Sequence, residues 1–246
     1  MRHHLLQAII SLMQPIDWLA LACFVLVWFG YAWLADYYWA RRGLVGISHL
    51  YREEWMREML CRENHVVDSA LVGNLISSVS FFASTTMYII AGLMAMMGTM
   101  ERAISFTADL PFVREASKEV WEIKLLLLMI IFVHAYFKFT WSLRQFNLLS
   151  ILIGGAPTNT DDEVRNEIYI QKAGAINSSA GDEFNRGIRA YYFGLATLTW
   201  FLHPWAFMLA TLIVTVVLFR RDYLSHTWQV LSQYAPTETQ RRLLRK

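Results

Sequence analysis

Charge is what this chain has least of. Only 17% of its 246 residues are Asp, Glu, Lys or Arg, and 22 cations against 20 anions leave a net charge of +2. That balance excludes the strongly basic surface on which nucleic acid binding rests, so no nucleic acid partner is expected. Cysteine is almost missing: Cys23 falls in an apolar run and Cys61 in a polar connection. A disulfide framework is therefore not expected, and two cysteines in separate segments exclude a cysteine-based zinc site by count. The sequence also lacks His-Glu-x-x-His, a P-loop, Gly-x-Ser-x-Gly, and Gly-x-Gly-x-x-Gly after a strand. The expectation is a protein that is not an enzyme, with no metal site and no cofactor. His134 and His203, both inside apolar runs, are too weak a signal for haem ligation without a further motif.

What the chain does have is apolar length. Hydrophobic residues make up 56% of it, and there are ten tryptophans and eleven tyrosines. Amphipathic rings of this kind favour the lipid–water boundary. A hydrocarbon core about 30 Å thick needs roughly 20 apolar helical residues. Four segments qualify, at about 17–39, 67–97, 120–147 and 190–219, with the third able to stay helical to Ile153. The predicted fold is all-α: one integral membrane domain over residues 1–246, with four transmembrane helices and amphipathic connecting helices. Residues 1–15 are expected to lie in the interface as a short helix, and 220–246 to form a polar tail. Between the first two spans, Tyr51, Trp55, Met59 and Leu60 give the charged segment 48–66 an apolar stripe. The connection 154–189 opens with Gly154-Gly155-Ala156-Pro157, a helix stop. Thr160-Asp161-Asp162-Glu163 has the form of a capping box, starting a helix that should end at Ala180-Gly181. Lys and Arg divide evenly between the two sides of such a topology, so the positive-inside rule gives no orientation.

Three places carry chemistry. The segment Phe137-Lys138-Phe139-Thr140-Trp141-Ser142-Leu143-Arg144-Gln145-Phe146-Asn147 continues the apolar run Leu125–Val133 but is polar. Lipid cannot solvate such groups, so they must reach the interface, find partners, or line a wet cavity. His134, Lys138, Trp141 and Gln145 share a helical face, with Arg144 and Asn147 beside it. Lys138 and Arg144 either snorkel, with Trp141 as an anchor, or form a buried cationic band that binds an anion or pairs with Asp36 or Asp68. In the second span, Ala70, Gly73, Ser77, Ser80, Ser84, Ala91 and Ala95 make a narrow small-residue face. Packing within the monomer is its expected role. A pore wall of Asn74, Ser77, Ser78 and Thr85 is the alternative. In the fourth span, His203-Pro204 predicts a kink that frees the Trp200 carbonyl, with Thr199 or His203 to satisfy it.

The order of these segments resembles a known family. Arg52 and Trp55 precede the second span, and Asn74 with the Ser77–Thr86 hydroxyl run fills it. Lys138–Asn147 leads to Leu152-Ile153-Gly154-Gly155-Ala156-Pro157. Phe184-Asn185-Arg186-Gly187-Ile188-Arg189-Ala190-Tyr191-Tyr192-Phe193 then runs up to Leu202-His203-Pro204-Trp205. Together they are similar to the domain of unknown function 599 family of bacteria and plants, over roughly Asp17 to Tyr223. Relatives commonly carry an arginine where Gly73 stands. The resemblance implies a polytopic membrane protein, here expected in the bacterial cytoplasmic (inner) membrane, with no established activity or ligand. The leading functional expectation is a homo-oligomeric channel or transporter-like protein for an ion or small solute. A non-catalytic accessory or scaffold subunit of a larger membrane complex, bound to other membrane subunits, is the alternative.

Overall fold

The computed structural model describes residues 13–39, 42–100, 104, 117–157 and 162–233. Most of the expected interfacial helix and the end of the polar tail lie outside the described residues. Within them the fold is all-α, without a strand. Helix α1 (Pro15–Trp33) continues as a π-turn, Leu34–Tyr38. It is followed by α2 (Leu44–Leu60), α3 (Val66–Gly98), α4 (Lys118–Gly154) and α5 (Glu163–Leu198). A 3₁₀ turn, Thr199–Phe201, precedes α6 (Pro204–Tyr223) and α7 (His226–Gln233). Four stretches are long and apolar enough to cross a membrane: Pro15–Tyr38, Val66–Gly98, Lys118–Gly154 and Pro204–Gln233.

Two expectations are corrected. The helix after the second long connection does not stop at Ala180-Gly181; α5 runs on for 36 residues, about 54 Å at the α-helical rise. Gly181 is there for close approach, since a Cβ on it would strike the Arg52 guanidinium. Thr160 and Asp161 of the expected capping box lie outside the described residues; at the start of α5, Asp162 Oδ1 accepts the Arg165 N–H at 3.0 Å, as an N-cap carboxylate should. Finally, His203-Pro204 does not kink one span. Phe193 and Phe207 both contact the ring of Phe24, at 5.9 and 5.0 Å between centroids. Fourteen residues of continuous helix would hold them about 21 Å apart, so the chain doubles back at 199–203. The fourth membrane-length stretch therefore begins at Pro204, not at residue 190. Proline opens α6, where its missing N–H costs nothing. The side chain of His203 caps that helix by accepting the Trp205 N–H at 3.2 Å.

The chain divides into two compact units. The first comprises residues up to Ala35, Thr85–Ala135 and Ile188–Leu218. Its core holds Leu93, Met100, Trp121, Leu125, Leu128 and Phe132. Beside the 199–203 turn, buried Lys124 donates to the Trp200 carbonyl at 2.9 Å, its ammonium 5.4 Å from the Trp200 ring centroid. Trp200 Nε1 in turn donates to buried Asp17 at 2.9 Å. The carbonyl expected to fall to Thr199 or His203 is thus served by a lysine 76 positions away.

The second unit comprises Asp36–Ser84, Tyr136–Gly187 and the chain from Phe219 on. Its apolar centre is Phe139, fully buried, with Phe82 at 5.6 Å and Phe184 at 5.7 Å. Gly187 lets α5 approach this ring; a Cβ there would lie 2.5 Å from Phe139 Cε1. Gly187→Ala should therefore overpack this centre and cost roughly 1–3 kcal/mol. Gly92→Ala, with nothing within 4 Å, should be neutral or mildly stabilising, alanine being the better helix former by about 1 kcal/mol. Thermal unfolding of both variants in the same detergent checks the contrast.

Candidate functional site

The polar half of α4 meets the charged middle of α5 in the second unit. Lys138 Nζ stands 3.0 Å from Glu183 Oε2. Arg186, one turn beyond Glu183 on α5, reaches Glu183 Oε1 at 2.5 Å and, through Nε, Asp36 Oδ2 at 3.0 Å. Asp36 sits on the π-turn that ends α1. The result is a chain of alternating charge, Asp36–Arg186–Glu183–Lys138, whose sum is zero. Glu183 is 7% exposed, and a buried carboxylate persists only when paired. Burial works against the Arg186 charge, but Asp36 and Glu183 outweigh it and hold the guanidinium above its ordinary pKa. Lys138 is therefore paired, with Glu183 and not with Asp36 or Asp68. Asp68 instead accepts from Trp55 Nε1 at 2.7 Å and from Arg62.

Neighbouring contacts fix α2 and α4 against α5. Arg52 Nη1 donates to Asn177, backbone at 2.7 Å and side chain at 2.5 Å. Burial lowers the Arg52 pKa, partly offset by Asp182, whose Oδ1 is 2.8 Å from His49 Nε2. Arg57 binds Glu167 at 2.8 Å, a hydrogen bond that raises its pKa. Ser142 donates to the Ala180 carbonyl at 2.7 Å. These groups clamp α5 and hold Glu183 and Arg186 in place.

A cleft of about 470 Å³ opens beside the charge chain, lined by Phe137, Lys138, Thr140, Trp141, Arg144 and Glu183. Arg144 is exposed, its guanidinium carbon 6.0 Å from the Trp141 ring centroid. It has no carboxylate partner among the described residues. Thr140 spends its hydroxyl on the carbonyls of Tyr136 and Phe137.

The structure thus gathers Lys138 and Arg144 around Trp141 and separates the other expected residues. Gln145 is buried, its Oε1 without a hydrogen bond among the described residues; Asn147 is exposed. His134 belongs to the first unit, its ring 6.0 Å from Trp28. On α3, Asn74, Ser77 and Ser78 are exposed and Thr85 is half-buried. Ser78 bonds back to the Asn74 carbonyl at 3.0 Å. Ala70, Ser84, Ala91 and Ala95 are exposed as well, and Gly73 and Ser80 half-buried, so most of the small-residue face is not packed within the monomer, against the expectation. Of the hydroxyl run, Thr86 turns inward, 2.7 Å from Tyr191. Local pattern does not single out Glu183, and Arg186 stands in it only as part of the Phe184–Phe193 motif; the charges themselves, set among apolar neighbours, are the available signal.

These features define an all-α polytopic membrane protein with a neutralised charge chain beside an open cationic cleft. The chain belongs to the family described as "Protein of unknown function, DUF599", whose model matches residues 19–227. No curated protein and no solved structure matches it.

A double-mutant cycle on Lys138→Gln and Glu183→Gln should return a coupling of about 1–2 kcal/mol, since Lys138 is partly screened by solvent. Glu183→Gln alone should be the most destabilising of the single changes, because it strips the carboxylate from Arg186 too. Chemical denaturation of the four proteins in one detergent measures this.

Proposed function

We propose that the protein is a homo-oligomeric channel or transporter-like protein of the bacterial cytoplasmic membrane, carrying an ion or small solute past α3. The observation that carries this reading is the outward row of α3. Asn74 projects from a membrane-length helix, and its side-chain amide has no hydrogen-bond partner among the described residues. Ser77 and Ser84 follow on the same side, and Gly73 has nothing within 4 Å of a Cβ position. An amide left facing hydrocarbon costs several kcal/mol on transfer scales. Copies of α3 set against one another remove that cost: small residues allow close approach, and amides and hydroxyls find partners or hydrate a shared path. A path within one chain has less support, since Asn74, Ser77, Ser78 and Ser84 are exposed on the monomer.

The same row also fits an accessory role, in which α3 meets a helix of another subunit. The two readings divide on one experiment. Protein reconstituted alone into liposomes should pass ions or small solutes, and Asn74→Leu should cut that flux at least tenfold while leaving oligomer size unchanged by native mass spectrometry. No flux from wild-type protein, together with co-purification of other membrane polypeptides at fixed stoichiometry, would favour the accessory role.

A further inference from the structure

Phe137, Trp141, Arg144, Leu148 and Ile151 follow one another on α4 at steps of four, three, four and three, which makes a single stripe along the helix. All five are exposed, the four apolar ones between 46% and 69%. This is an exposed apolar surface with one guanidinium set into it. Arginine does not deprotonate in a protein, and a charge in such a setting needs an anion or water. The neighbouring carboxylate cannot be that anion. Glu183 is already shared between Lys138 and Arg186, and the charge chain sums to zero, so Arg144 leaves the cleft with a net positive charge. Lys138, with its ammonium 3.0 Å from Glu183 Oε2, also lines the cleft.

We propose that this cleft binds the phosphate of an anionic phospholipid, with Arg144 as its principal ligand, Lys138 as a second donor and Trp141 holding the guanidinium by its ring face. Arginine's planar fork suits two phosphate oxygens at once. The cleft volume lies in the range of small-molecule sites. Phe137 on one side of Arg144, and Leu148 and Ile151 on the other, supply apolar surface along which acyl chains lie. That surface selects a lipid headgroup over a free phosphate ester, although the phosphate chemistry is common to both. The proposal does not rest on the channel reading.

The test uses the full chain in phosphatidylcholine nanodiscs doped with phosphatidylglycerol, released and counted by native mass spectrometry. Wild-type protein should retain phosphatidylglycerol in preference to phosphatidylcholine, and excess inorganic phosphate should not displace it. Arg144→Gln, at an exposed position where folding is not at stake, should lower retention about tenfold or more, the usual effect of losing a charged hydrogen-bond partner. Arg144→Lys should recover part of it. Equal retention of the two lipids, or retention unchanged in Arg144→Gln, overturns the proposal. Displacement by inorganic phosphate overturns the lipid assignment and gives the site to a soluble phosphate ester.

Discussion

Glu183 is the carboxylate on which the polar part of the second unit depends. It stands on α5 among groups that exclude water, and it neutralises a cation from α4 and another from its own helix. A buried carboxylate without these partners would take up a proton or force the helices apart, because desolvating an anion costs more than packing returns. Asp36 completes the chain by giving Arg186 a second anion. Several surrounding features bring α5 to this position. Gly181 and Gly187 remove side chains that would collide with Arg52 and Phe139. Ser142 and Arg52 hold the backbone of α5 through carbonyls that a helix leaves able to accept a further bond.

The same principle, with different groups, organises the first unit. The turn between α5 and α6 interrupts the helical hydrogen-bond ladder, and an interrupted ladder inside an apolar protein leaves carbonyls that need donors. Lys124 fills that need for Trp200, and the indole ring beneath its ammonium adds a cation–π contact. Asp17 then accepts the indole N–H. Cation, carbonyl, indole and carboxylate thus form one satisfied set. Lys124 and Asp17 in the first unit, like Glu183 and Arg186 in the second, meet backbone, indole or opposite charge where they are enclosed.

The sequence was legible where physics is local. Length and hydropathy identify the apolar helices α1, α3 and α4 within a few residues, and the stripe of Tyr51, Trp55 and Met59 identifies α2. It was less legible where one local pattern serves two ends. Gly181 reads as a helix stop, yet it sits mid-helix because an arginine passes over it. Pro204 reads as a kink because apolar residues continue on both sides, whereas those residues belong to two helices doubling back. The small-residue face of α3 shows how the same limit affects function. Periodicity reveals that Ala70, Ser77, Ser84 and Ala91 share a side but does not reveal which way that side points. Ion pairs are the extreme case: nothing local to Lys138 marks Glu183, 45 positions on, as its partner.

Burial accounts for which charges are paired. Of the four membrane-length stretches, the one containing α4 is the most enclosed, with 44% of its apolar window buried against 17–22% for the others. It is also the one whose polar half carries Lys138 and Arg144. The lysine turns toward α5 and is matched by Glu183; the arginine turns outward and has no carboxylate among the described residues. Had both turned inward, α5 would have needed a second free carboxylate, and Asp182 is already engaged with His49. Had both turned outward, Glu183 would have kept only Arg186. The arrangement found is the one in which Lys138 and Glu183 are matched, and Arg144 faces the side from which an anion can come.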